Sequence, residues 1–174
     1  MNKALSYKLL LSLFFIQLFV AISTPFNWNT ILTKGNTYHF EISINDPSDI
    51  LRGRYIYLTF PEKYSQIPVQ NDFNFDPKTT YYATLSCDEN KLAKIDQLTT
   101  SKPTTDYIEV KINYIHHNKA YITLPFNRFY LNEDLANKLE RQMPYLTNKR
   151  NFAIIKIKDE NGVIDSLLLD GNKI

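Results

Sequence analysis

Residues 151–169 read NFAIIKIKDENGVIDSLLL, two apolar runs separated by a short polar turn. The runs at 151–158 and 163–169 are rich in Ile, Val and Leu, which suit the pleated surface of a strand. Between them, Asn161-Gly162 is a dipeptide that strongly favours a tight hairpin turn. The stretch therefore predicts an antiparallel hairpin, and with it an antiparallel sheet near the C-terminus.

Alternating apolar residues predict further strands upstream of this hairpin. Residues 107–114 place Ile108, Val110 and Ile112 on one face, and residues 120–124 return after a polar turn. Similar patterns predict strands at residues 37–44, 54–60, 79–87, 91–98 and 129–131, and an irregular loop at residues 65–78.

One short helix is predicted after Asn132, a residue type that caps helices, and Pro144 is expected to end it. With 174 residues the chain is expected to form one domain beyond its N-terminus. The predicted fold class is mainly β, with about eight antiparallel strands and one short helix, behind an N-terminal transmembrane or signal helix.

Residues 1–26 have the pattern of a targeting segment. Lys3 and Lys8 precede residues 9–22, LLLSLFFIQLFVAI, in which only two residues are polar. As a helix this run spans about 21 Å, or about 27 Å if extended to Phe26, against a hydrocarbon core of about 30 Å. The residues leave open a cleaved signal peptide and a retained membrane anchor. Either one keeps the N-terminus in the cytoplasm and carries residues 27–174 across the membrane.

The charge of the exported part is balanced. Taking Lys3 and Lys8 from the 20 basic residues of the chain leaves 18, which equals the 18 acidic residues. A domain without net positive charge lacks the electrostatic feature typical of nucleic-acid binding. The single cysteine excludes a disulfide scaffold. We therefore expect a globular extracytoplasmic domain with no nucleic-acid partner.

No motif predicts catalysis or a bound cofactor. The chain contains no P-loop, dinucleotide fingerprint, G-x-S-x-G or HExxH. Most of its paired carboxylates fall in predicted turns or at the helix start, where acidic residues have structural roles. His116 and His117 are adjacent, a poor spacing for chelating a metal. We assign no catalytic residue and expect no metal and no cofactor. The residues favour a non-enzymatic activity over an enzymatic one.

Residues 46–60, DPSDILRGRYIYLTF, resemble the signature region of the GDYXXLXY family of membrane-associated bacterial proteins. Tyr55 and Leu58 match the first Tyr and the Leu of that motif. Arg54 stands where the family usually has Asp, and Phe60 where it usually has the final Tyr. The resemblance extends to the lead-in and to two later segments: Asp46-Pro47, Asp49, Leu51-Arg52-Gly53, Phe129 to Glu133, and Leu169-Asp170-Gly171.

The resemblance implies a protein with one N-terminal transmembrane segment and a domain outside the cytoplasm. It favours the retained anchor over the cleaved signal peptide. No enzymatic activity comes with the resemblance. Because Arg54 replaces the family's Asp, any role that needs a carboxylate at this position is in doubt here.

The residues before and at the start of the motif strand are the predicted partner contact: Asp49, Arg52, Gly53, Arg54 and Tyr55. Arg and Tyr are enriched in the hot spots of protein interfaces. The structural alternative is that Gly53 serves a turn and that Tyr55 and Tyr57 share a strand face and pack against the neighbouring strand.

Three functions remain open from the sequence. The first is a membrane-anchored, non-enzymatic module that binds an envelope or membrane protein. The second is an exported hydrolase whose carboxylates are brought together by the fold. The third is a glycan- or lipid-binding domain that uses exposed tyrosines, for which Tyr55, Tyr57, Tyr81 and Tyr82 are the candidates.

Overall fold

The computed structural model describes residues 3–43, 55–70, 73–146 and 149–174. Three helices lie in these ranges: α1 at Lys3–Lys34, α2 at Glu62–Ser65 and α3 at Glu133–Leu146. They also contain eleven strands: β1 Asn36–Ile42, β2 Tyr55–Tyr57, β3 Gln66–Pro68, β4 Tyr81–Cys87, β5 Ala93–Thr99, β6 Tyr107–His116, β7 Lys119–Thr123, β8 Arg128–Tyr130, β9 Asn151–Lys158, β10 Asn161–Leu169 and β11 Asn172–Lys173.

The named strands pair antiparallel in three sheets, which confirms the mainly β, antiparallel fold class. One sheet has the strand order β1-β9-β10-β11, a second has β3-β7-β6-β4-β5, and β2 pairs with β8 alone. The first sheet joins the two ends of the domain, because β1 follows α1 directly and pairs along its whole length with β9. The described residues hold more strands than the eight predicted, since β3 and β11 are too short to produce a periodic pattern.

The predicted hairpin at residues 151–169 is confirmed, but Asn161-Gly162, predicted to lie in its turn, lies in a strand. Asn161 pairs with Lys158, so Asp159 and Glu160 form the turn and Asn161-Gly162 belongs to β10. Asp159 adopts φ 54°, a left-handed conformation that aspartate tolerates. Gly162 has a different role: a Cβ at this position would lie 2.7 Å from Cδ1 of Phe126.

The five-stranded sheet follows the prediction closely. Ile108, Val110 and Ile112 are buried on one face of β6, as the alternation predicts. The turn to β7 is made by His117 and Asn118, both with positive φ, which matches the geometry of a tight hairpin. Part of the predicted loop at residues 65–78 instead forms β3, which pairs with β7 at the edge of this sheet.

A single hydrophobic core connects the sheets. Its largest fully buried side chains come from the four-stranded sheet, from β3 and β6, from α2 and α3, and from the residue that follows β2: Tyr64, Phe40, Leu58, Ile67, Ile108, Leu139, Ile155, Ile157 and Leu167. Asn151 is buried among them, and its side chain donates to the carbonyl of Leu146 at 2.8 Å. The core therefore holds the motif strand against the C-terminal hairpin.

Helix α1 continues past residue 26 to Lys34 and ends against the domain. Ile31 is buried there, and the N–H of Gly35 donates to the carbonyl of Ile31 at 2.8 Å. A Cβ at Gly35 would lie 3.0 Å from the carbonyl oxygen of Ile157 in β9, so the helix end and the sheet are in close contact. In the described ranges no helix has the combined length and hydropathy of a membrane span.

Helix α3 begins as predicted but does not end where predicted. Asn132 caps it, since its Oδ1 accepts from the N–H of Leu135 at 2.9 Å. Pro144, expected to end the helix, lies within it, and the helix runs on to Leu146. A proline in the last turn removes only one hydrogen-bond donor, and this short helix end tolerates the loss.

Candidate functional site

The structure describes one of the five predicted contact residues. Asp49, Arg52, Gly53 and Arg54 lie outside the described residues. Tyr55 is the first residue of β2, which pairs with β8 in the register Tyr55 to Tyr130 and Tyr57 to Arg128. The motif strand was predicted over residues 54–60, whereas the strand itself is limited to Tyr55–Tyr57.

The strand pair β2/β8 presents one polar aromatic face to solvent. Residues directly opposite each other in an antiparallel pair point to the same side, so four side chains share this face: Tyr55, Tyr57, Arg128 and Tyr130. We call these four residues the outer quartet. Tyr57 is 46% exposed and Tyr130 is 68% exposed, so the face is open to a macromolecule.

The outer quartet is ordered by its own contacts. The rings of Tyr55 and Tyr130 lie 5.8 Å apart between centroids, and the guanidinium of Arg128 lies 5.3 Å from the centroid of the Tyr55 ring. Asn127 donates from Nδ2 to the hydroxyl of Tyr57 at 3.1 Å. Cation–π and ring contacts reduce the entropy that a binding surface loses when a partner fixes it. The cross-strand packing of Tyr55 predicted as a structural alternative is therefore present within an exposed surface.

The other face of the motif strand is structural. Ile56 and Leu58 are buried, at 2% and 1% exposure, as the predicted alternation requires. Phe60, which replaces the last Tyr of the motif, packs edge-on against Phe40 and Phe126, with centroids 6.0 and 5.8 Å away. The aromatic cluster has no need of a hydroxyl at residue 60, which gives a physical reason why Phe is accommodated there.

A groove of about 480 Å³ runs beside the outer quartet. It is lined by Trp28 of α1, by residues 125–130 and by residues 162–164 of β10. Among these lining residues Arg128 carries the only charge, and none is a carboxylate. The groove therefore combines apolar and aromatic walls with a single cation.

Two of the paired carboxylates, Asp88 and Glu160, have structural partners. Asp88 accepts the N–H groups of Asn90 and Leu92 at 2.9 and 2.8 Å, which stabilises the turn before β5. Glu160 accepts from Nζ of Lys102 at 2.9 Å, and this hydrogen bond lowers the pKa of the Glu160 carboxyl. Glu160 therefore lacks the raised pKa expected of a general acid.

A small polar cavity of about 310 Å³ brings His39, Glu41, Asp88 and Arg150 to one site. Burial lowers the pKa of His39, and nearby Lys91 lowers it further. Glu41 forms an ion pair with Lys63, so its carboxylate is already paired with a cation. In the part of the chain that is described, no three His, Cys, Asp or Glu side chains are grouped closely enough to hold a metal ion.

The tyrosine platform predicted for a glycan or lipid does not form as proposed. Tyr81 and Tyr82 are buried, at 2% and 8% exposure, because both faces of β4 are covered. Tyr81 packs on Phe73, and Tyr82 packs edge-on against Tyr107. Of the four tyrosines considered, only Tyr55 and Tyr57 belong to an accessible face.

Arg128, Tyr130 and Trp28 were not predicted as contact residues. Arg128 and Tyr130 are far from Tyr55 in sequence, and only the pairing of β2 with β8 brings them together. A signal was present in the sequence, since the resemblance included the aromatic segment from Phe129 to Glu133 as well as the motif strand. Two segments of one family signature that lie far apart in sequence are candidates for pairing in space.

Comparison with known proteins supports the resemblance. The sequence model described as GDYXXLXY protein matches residues 17–167, which include both strands of the outer quartet. This confirms the predicted family resemblance. No curated protein and no solved structure matches the chain.

Proposed function

Because the chain belongs to the GDYXXLXY protein family, we propose that it is a membrane-anchored, non-enzymatic module of the bacterial envelope. Its β-rich domain lies outside the cytoplasm and binds another envelope or membrane protein. The observation that carries the proposal is the outer quartet, in which the family's motif strand presents Tyr55 and Tyr57 outward beside Arg128 and Tyr130.

The anchor in this proposal is helix α1. From Leu9 to Phe19 its large apolar side chains are exposed on all sides of the helix, between 42% and 73% for those described. A helix that is apolar all round is stable when it is surrounded by apolar material. The β domain leaves these side chains uncovered, so lipid is the environment that suits them.

The orientation follows from charge. Lys3 and Lys8 flank the N-terminal side of the apolar run, and no acidic residue precedes it. Positive flanking residues remain on the cytoplasmic side. Ile31, near the end of α1, is buried against the β domain. The domain therefore lies on the opposite side of the membrane, in the envelope.

The chemistry of the outer quartet suits a protein partner. Tyr supplies a large contact area with only two rotatable side-chain bonds, and both Tyr and Arg are enriched in interface hot spots. Asp49, Arg52, Gly53 and Arg54 directly precede Tyr55 in the sequence, and we include them in the proposed contact on that ground.

Chemical cross-linking in native membranes, followed by pull-down of the full-length tagged chain, tests this function. The test variant is Tyr57→Ser/Arg128→Gln, which changes two exposed side chains of the outer quartet. The matched control is Tyr114→Ser/Lys111→Gln on β6, where Tyr114 is 53% exposed. We expect a defined protein to be captured by the wild type and the control and lost from the test variant. Equal capture by all three chains would remove the outer quartet as the contact.

A further inference from the structure

Beside the groove, one edge of strand β10 has no neighbouring strand in the ranges that the structure describes. On one side β10 pairs with β9 along its length. On the other side β11 pairs only with Leu168 and Leu169. Within the described residues, the stretch 161–164 therefore has no partner strand on that side. An open stretch of strand edge is a template for pairing with another extended chain.

The register identifies which backbone groups point out of this edge. Asn161 and Lys158 flank the two-residue turn and form a hydrogen-bonded pair. Backbone groups alternate along an antiparallel strand, so Asn161 and Val163 bond to β9, while Gly162 and Ile164 direct their N–H and C=O groups the opposite way. Gly162 and Ile164 both line the groove.

The opposite wall of the groove is β8, which has one partner strand among the described residues. β8 pairs with β2 on one side, and its residues Arg128, Phe129 and Tyr130 line the groove. Phe126, buried in the core at 4% exposure, lies between the two walls in contact with the Gly162 backbone. The groove thus lies between two strands and has an apolar base.

We infer that this groove is a strand-addition site for the protein partner of the proposed function, on which this inference rests. A short extended segment of the partner pairs with the β10 edge through the backbone of Gly162 and Ile164. Its apolar side chains contact Phe126 and Phe129, and an acidic side chain binds Arg128. The main chain supplies affinity in such additions, and the side-chain contacts supply specificity.

The lining of the groove and the register of β10 limit the chemistry and the length of this segment. Arg128 is the single charge of the lining and no carboxylate lines the groove, so an acidic segment is favoured over a basic one. The regular register of β10 is interrupted between Ile164 and Ser166. The bulge shortens the edge that can be paired, so the added segment is only a few residues long.

A proline at residue 164 tests the pairing directly. Ile164→Pro removes one of the two N–H groups that point into the groove. It leaves the bonds to β9 intact, because residue 164 is an edge position where proline is tolerated. The control Ile164→Ala removes more of the side chain and keeps the N–H. We expect Ile164→Pro to capture the partner about fivefold less than Ile164→Ala in native-membrane cross-linking, the effect of losing one hydrogen bond. Equal capture would overturn strand addition and leave the proposed function standing.

Amide hydrogen exchange of the full-length chain in detergent gives a second test that needs no variant. In the isolated chain the amides of Gly162 and Ile164 should exchange at least about tenfold faster than those of Asn161 and Val163. In the captured complex they should become protected. Slow exchange in the isolated chain, or protection that appears when the chain alone is concentrated, would overturn the inference. If Ile164→Pro fails to fold, this measurement decides.

Discussion

The backbone of Gly162 lies against the ring of Phe126, so closely that a Cβ at residue 162 would lie 2.7 Å from Cδ1 and 2.8 Å from Cε1 of that ring. Phe126 in turn packs on Phe40 and Phe60, with centroid distances of 5.2 and 5.8 Å. This contact joins the C-terminal hairpin to the aromatic cluster beneath the family's motif strand. It also sets the base of the groove beside the outer quartet.

Gly162→Ala should therefore destabilise the fold. The added methyl group overlaps a buried ring that other rings hold in place, and overpacking of this kind costs about 1–3 kcal/mol in the free energy of unfolding. Urea denaturation followed by circular dichroism measures the change. In a Phe126→Leu background the same substitution should cost less, because the ring is gone. An equal cost in both backgrounds would show that the contact is not the reason for glycine at this position.

Deprotonation of Tyr38 should lower the stability of the fold at alkaline pH. Its hydroxyl donates to Oδ2 of Asp106 at 2.7 Å, and burial, followed by this hydrogen bond, raises the pKa of Tyr38 above its ordinary value of 10.0. Because the pKa of Tyr38 is raised in the folded state, its protonated hydroxyl contributes fully to the free energy of unfolding below pH 10. This contribution is lost as the pH rises further. The wild type should lose up to about 1.4 kcal/mol per pH unit more than Tyr38→Phe in that range.

Unfolding of both chains between pH 8 and pH 11 checks this difference. The exposed Tyr145, at 77% exposure, provides the control substitution Tyr145→Phe, which should follow the wild type. If Tyr38→Phe loses stability as steeply as the wild type, the Tyr38 hydroxyl has no part in the alkaline transition.

Substitution of the polar residue Asn151 should lower the free energy of unfolding of the domain. It is 1% exposed, its Nδ2 donates to the carbonyl of Leu146, and its Oδ1 accepts from the N–H of Asp170 at 3.3 Å. Asn151→Ala removes both of these hydrogen bonds, and the carbonyl of Leu146 keeps only the bond from the N–H of Lys149. Losing two hydrogen bonds of a buried side chain costs about 1–3 kcal/mol in unfolding free energy. Asn161→Ala, at an exposed position of β10, should change stability by less than about 0.5 kcal/mol. Similar losses in the two variants would contradict the assigned role.

The proposed anchor predicts how the chain fractionates. Ile16 lies in the middle of the apolar run at residues 9–22, so Ile16→Arg adds about 3 kcal/mol to the cost of membrane insertion. We expect the wild type to resist alkaline carbonate extraction and to keep residues 1–26, and Ile16→Arg to be partly extracted. Thr33→Arg, beyond the run, should behave as the wild type. A mature chain that begins after residue 22 would contradict the retained anchor.

Local patterns predicted the hairpins well, whereas contacts between distant segments were not accessible from the sequence. The β6/β7 hairpin was predicted because His117-Asn118 separates two alternating runs. The pairing of Tyr55 with Tyr130 was not predicted, since no local pattern encodes which three-residue strands meet. Gly162 was assigned to a turn because its contact with Phe126 depends on the tertiary structure.

The predicted site likewise included residues found from local patterns and missed those brought in by contacts between distant segments. Tyr55 was identified from the motif, but its partner Arg128 enters the site only through sheet register. Tyr81 and Tyr82 were alternative candidates for an exposed tyrosine, and a strand with one covered face exposes every second residue. In β4 both faces are covered, so neither tyrosine is exposed.

Site-specific photo-cross-linking tests the central claim most directly. A benzoylphenylalanine residue is introduced at Tyr57 in the outer quartet, or at Tyr114 on β6 as a matched exposed aromatic position, in the full-length chain in living cells. The account predicts a discrete adduct with one envelope or membrane protein from residue 57 and none from residue 114. The absence of an adduct at residue 57, or the same adducts from both positions, would contradict it.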